Sequence, residues 1–65
     1  MKHIPSWTVF TWSGRSITVQ AQSAKAAILQ AARTLSKRPI KAGIRWQGPI
    51  AHIAGMEFHK PIRNT

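Results

Sequence analysis

Cysteine is absent from this 65-residue chain, which removes disulfide bonds and thiolate metal sites as sources of stability. Carboxylates are nearly absent too. Glu57 is the sole acidic side chain against ten lysines and arginines, for a formal charge of +9. A lone carboxylate excludes, within a single chain, paired catalytic carboxylates and a two-metal nuclease centre. Long apolar runs are also missing. Ala26-Ala27-Ile28-Leu29 is far too short to span a bilayer, and Met1-Lys2-His3-Ile4-Pro5-Ser6 lacks the apolar core of a secretory signal. The expectation is therefore a cytoplasmic location and no membrane partner. Neither a phosphate-binding glycine loop nor a nucleophile elbow is present.

What remains is a compact basic chain with three tryptophans and two phenylalanines. A single domain over residues 1–65 of this size buries roughly 60% of its unfolded surface, so its stability is marginal. Self-association into a homodimer is expected to contribute.

Residues 7–12 (Trp-Thr-Val-Phe-Thr-Trp) and 16–21 (Ser-Ile-Thr-Val-Gln-Ala) are rich in β-branched and aromatic side chains and flank Ser13-Gly14, which predicts a β-hairpin. A two-residue turn pairs Phe10 with Ile17 and Thr8 with Val19, collecting Phe10, Trp12, Ile17 and Val19 on a buried face. Trp7, Val9, Thr11, Ser16, Thr18 and Gln20 then form the other face. A three-residue loop with Gly14 at a left-handed bulge position aligns Val9 with Ile17 instead. The first register is preferred because it gathers the larger apolar set.

Ser23 suits the N-cap of a helix over residues 24–37, with Ala24, Ile28, Ala31, Ala32 and Leu35 forming one narrow apolar stripe. Pro39 ends it. Residues 40–47 alternate, with Ile40, Ala42, Ile44 and Trp46 inward and Lys41, Gly43, Arg45 and Gln47 outward, as in a third strand. Gly48-Pro49 breaks this pattern. A fourth strand is expected around residues 53–58 with Gly55 as a bulge, and residues 61–65 as a flexible tail. The fold class is α+β: a small antiparallel sheet in ββαβ order, with a further strand, and one helix packed on one face. Trp46, Met56 and Phe58 are assigned to the core.

Five cations, Arg33, Lys37, Arg38, Lys41 and Arg45, fall within thirteen positions. Cations without interspersed carboxylates suit the side-by-side contacts that a phosphate backbone offers. Arg15 and Lys25 extend the set, and Trp7, Thr18 and Gln20 are expected contacts from the polar sheet face. These ten residues predict a non-enzymatic nucleic-acid-binding protein, DNA ahead of RNA, with no catalytic residue, metal or cofactor. The alternatives are a module or inhibitor that docks on an acidic protein, and a small ribonuclease or toxin using His59. His52, by alternation, is expected opposite Glu57 and His59, which disfavours a two-histidine, one-carboxylate metal site. A compact basic frame also suits a viral or mobile-element origin.

The run from Trp7 to Val19, followed by Ser23-Ala24-Lys25-Ala26-Ala27 and a helix, resembles the strand–strand–helix portion of the arm-binding domains of phage-type integrases and of a class of plant DNA-binding domains. That resemblance implies a sheet laid in the DNA major groove. It rests on pattern rather than on a specific motif, and the additional first strand of those domains is lacking.

Overall fold

A computed structural model of the chain describes residues 3–41 and 43–64. The element order is β1 (Ser6–Phe10), β2 (Ser16–Gln20), α1 (Ala24–Ser36), β3 (Arg45–Gln47), β4 (Ile50–Ile53), β5 (Met56–His59) and β6 (Ile62–Arg63). It is a small α+β fold of two three-stranded antiparallel sheets, ordered β2-β1-β6 and β3-β4-β5. The sheets meet where Thr11 bridges Phe58 and the Trp12 amide donates to the Glu57 carbonyl at 2.9 Å. β5 and β6 thus follow one edge of β1. Between Thr11↔Phe58 and Thr8↔Ile62 the β5–β6 side holds one extra residue, a bulge at Lys60-Pro61 that accommodates a proline without a ladder N–H.

The first hairpin adopts the three-residue register rather than the preferred two-residue one. Val9 faces Ile17 and Phe10 faces Ser16. Gly14, at φ 102°, takes the left-handed position, its amide donates to the Thr11 carbonyl at 3.1 Å, and the Thr11 amide donates to Arg15 at 2.8 Å. The Thr11 hydroxyl accepts from the Arg15 amide at 2.9 Å, satisfying the donor that the bulge leaves over. A two-residue type I′ turn needs positive φ at both central residues, which serine resists. A three-residue loop needs it only at Gly14. The face assignment inverts accordingly. Trp7, Val9, Ile17 and Val19 pack inward, while Phe10 and Trp12 are exposed. Trp7 is half-buried and its indole N–H donates to the Ala21 carbonyl at 2.9 Å.

The helix follows its sequence signals closely. The Ser23 side chain accepts from the Ala26 amide at 3.2 Å, and Lys37 closes the C-terminus in the left-handed conformation, its amide bonded to the Arg33 carbonyl. Ala27, Ile28, Ala31 and Ala32 are fully buried, with Leu35 at the margin. Small side chains on that stripe let the helix axis approach β1, β2 and β4 closely. Phe58 is the largest fully buried side chain, joined by Val9, Ala51 and Ile53.

Four C-terminal expectations change. The third strand shortens to Arg45–Gln47. Ile40 and Ile44 still pack against the core, but residues 38–41 and 43–44 connect the helix to a sheet edge without a ladder partner. Ala42, expected inward, lies outside the described residues. Trp46 is 45% exposed rather than core, because β3 is the outermost strand. Gly55 is not a bulge. Ala54 and Gly55, at φ 51° and 78°, form the two-residue turn of a second hairpin, β4–β5. The expected tail is a strand in its described part: β6 pairs with β1, Pro61 is buried, and the Asn64 side-chain amide donates to the Thr8 hydroxyl at 2.9 Å.

The register yields a test by one substitution on two faces. Phe58→Ala should cost about 3–5 kcal/mol of unfolding free energy, enough to unfold a chain this small. Phe10→Ala should cost under about 1 kcal/mol. Urea unfolding followed by circular dichroism measures both, and equal losses would contradict the register.

Candidate functional site

The end of α1 gathers three of the five clustered cations. Arg33, Lys37, Arg38 and Pro39 surround a shallow depression of about 380 Å³. The helix brings Arg33 and Lys37 onto one side because they are four residues apart. The left-handed turn at Lys37 then stops the helix and leaves Arg38 beside them. Exposed carbonyls at the helix C-terminus stabilise cations there. Lys41, also exposed, follows in the connecting segment.

Arg45 is exposed on the third strand and faces outward, as the alternation implies. It pairs with His52 on β3–β4, on the side opposite Ala51 and Ile53 and therefore away from the helix. Lys25 is exposed in the first helical turn, roughly 12 Å along the axis from Arg33, and does not join the cluster. Arg15 does approach that end of the molecule. It lines an open groove of about 630 Å³ with Trp12, Leu35, Met56 and Glu57. Leu35 belongs to the last helical turn, so the hairpin tip and the cationic helix end are neighbours.

The polar sheet face also changes membership. Thr18 and Gln20 stay on the solvent face of β2, but Trp7 does not accompany them, being committed to the inner side. Their companions on β1 are Ser6, Thr8 and Phe10. Trp12 continues that side and stacks on His59, with ring centroids 4.6 Å apart and planes 25° from parallel. Phe10, Trp12 and His59 were absent from the residues expected to make contacts. The signal that finds them is the loop chemistry, a serine where a type I′ turn requires a residue tolerant of positive φ, followed by a glycine.

The histidines sit otherwise than alternation predicts. The tight turn at Ala54-Gly55 brings His52 directly across from Glu57, on the same face as His59 rather than opposite it. The His52 Nε2 atom is buried and has no hydrogen-bond partner among the described residues. Among those residues, no group of three or more His, Cys, Asp or Glu side chains is placed to hold a metal ion. No helix among them is long and apolar enough to cross a membrane. Comparison with protein-family models, curated proteins and solved structures returns no match, so the resemblance to integrase arm-binding domains gains no support from that side.

The three indoles occupy distinct environments, which gives a direct check. Trp12 and Trp46 are exposed by 55% and 45%, while Trp7 is hydrogen-bonded and half-buried. A Trp12→Phe, Trp46→Phe double variant should retain a blue-shifted emission largely protected from acrylamide. Emission as quenchable as in the parent chain would contradict the placement of Trp7.

Proposed function

We propose that this chain is a non-enzymatic, cytoplasmic nucleic-acid-binding protein whose primary hold is on phosphates. The observation that carries the reading is the ring of Arg33, Lys37 and Arg38 around one depression, with exposed Lys41 next in the chain. The chain's one carboxylate, Glu57, lies on β5 rather than among these cations. A surface shaped only by solubility interleaves both signs. Among the described residues no carboxylate lines this depression, and two of the three cations carry the guanidinium fork that matches phosphate oxygens. Arg45 contributes from the sheet face and Arg15 from the hairpin tip. Thr18 and Gln20 supply hydrogen-bonding groups on that sheet face, with no role left for Trp7 in direct contact.

Neutralising a polyanion this way releases condensed counterions, so the affinity must depend steeply on salt. For about five phosphates engaged, log K should fall against log salt with a slope of about −4.5 on duplex DNA or about −3.5 on a single strand. The triple substitution Arg38→Ala, Lys41→Ala, Arg45→Ala should weaken binding across sequences and reduce the slope by about 2–3. All three positions are exposed, so the circular dichroism spectrum should be unchanged. An affinity insensitive to salt in a fluorescence-anisotropy titration would contradict the phosphate-binding role.

A further inference from the structure

The solvent face of the joined sheets carries aromatic rings that phosphate contacts leave unused. Phe10 is 37% exposed and Trp12 55%, and alternation along the chain turns both away from buried Val9 and Thr11. One face of the Trp12 indole rests on His59 at 4.6 Å. The bridge between Thr11 and Phe58 sets β5 alongside the end of β1, so the three rings stand on adjacent backbone segments of one surface. Exposed aromatic area of this kind adds nothing to the domain's own core and marks a surface for interaction.

We propose that this face binds single-stranded nucleic acid, with bases stacking on Trp12 and Phe10. The proposal rests on the nucleic-acid reading above and narrows its ligand. A duplex hides the faces of its bases inside its own stack, so rings on an open sheet reach them only by unstacking a step. Unpaired bases offer their π-faces freely, and every base has one. Charge complementarity continues the argument. Trp12 and Arg15 line the same groove as Leu35 of the last helical turn, so a strand lying over Trp12 passes next to the cations at the helix end.

Glu57 refines the pose. It lines the groove beside Trp12, and a carboxylate there repels phosphate while leaving the neutral face of a base undisturbed. Bases therefore lie over Trp12, and the backbone runs on the side of Arg15 and the helix terminus. The exposed hydroxyl and amide groups of Thr18 and Gln20, on the same face, donate to and accept from base edges without demanding one sequence.

The test is a fluorescence-anisotropy titration of the full chain against labelled oligo-dT, oligo-rU and a blunt duplex of equal length, at two salt concentrations. Single strands should bind more tightly than the duplex. Trp12→Ala should weaken single-strand binding by about 5- to 150-fold, and Trp12→Phe, which keeps a ring, by less than about fivefold. Trp12 is exposed, so both variants should retain the circular dichroism spectrum of the parent. Equal affinity for dT and rU supports recognition through base faces, and a preference for either supports the same face with a contact to the sugar or the thymine methyl added. A parent chain that prefers duplex, or a Trp12→Ala variant that binds single strands as the parent does, overturns the proposal and leaves the phosphate reading standing. Failure to bind any of the three at low salt overturns both. Should Trp12→Ala abolish self-association in sedimentation without changing oligonucleotide affinity, the face is a contact between copies of the chain, and the proposal falls.

Discussion

The closure of the first hairpin on Thr11 is the constraint from which the rest of the arrangement follows. Its buried hydroxyl accepts the Arg15 amide and lies 2.9 Å from the Ser13 hydroxyl, completing a three-residue loop around Gly14. Its backbone bridges Phe58, so the same residue sets the register of one hairpin and docks the other. A slip of one residue here would exchange the two faces of β1. Trp7 and Val9 would leave the core, and Phe10 and Trp12 would enter it. The buried threonine is thus tolerated because its polar atoms are satisfied within the turn.

Around that joint the core is small and close-packed. The helix contributes Ala27, Ala31 and Ala32 with a single Ile28, and the sheets contribute Phe58, Val9, Val19, Ala51 and Ile53. Alanines bury little area each, so stability rests on proximity of helix to sheet and on the few large side chains. A core this size cannot absorb charged groups, and every described lysine and arginine is exposed. The concentration of cations on the surface follows from composition. Their grouping at one helix end follows from where the helix stops.

The helix was legible in the sequence because its signals are local: Ser23 as cap, alanine-rich propensity, and a stripe at helical spacing. The existence of the first hairpin was legible for the same reason. Its register was not, because summed hydrophobicity favoured one pairing while backbone chemistry at Ser13 favoured the other, and the backbone preference prevailed. The alternation of residues 40–47 marked correctly that Ile40 and Ile44 turn inward, yet inward-facing side chains do not require a ladder partner. Trp46 obeys the alternation and remains 45% exposed because it lies on an edge strand, at the margin of the packed core. The second hairpin escaped because Ala54 at positive φ is uncommon for a residue with a β-carbon. Of the site, Arg33 and Lys37 could be read from their four-residue spacing, and Arg38 from its place just past the helix end. The Trp12–His59 stack joins residues 47 positions apart, and only the meeting of the two sheets brings them together.

The proposed function depends on two surfaces that share one end of the molecule, a cationic helix terminus and an aromatic sheet face. In the proposal the first would supply affinity that salt can screen, and the second contacts that salt leaves largely intact. A protein–nucleic acid contact built only on the first would favour the denser charge of a duplex over a single strand. The most direct measurement is the amide and indole proton–nitrogen spectrum of the chain titrated with an oligo-dT single strand. The account predicts that signals of Thr8, Phe10, Trp12, Thr18 and His59 move together with those of the helix end, while those of Val9, Ile28 and Phe58 stay in place. Shifts confined to Arg33, Lys37 and Arg38, with the Trp12 indole unmoved, would contradict it.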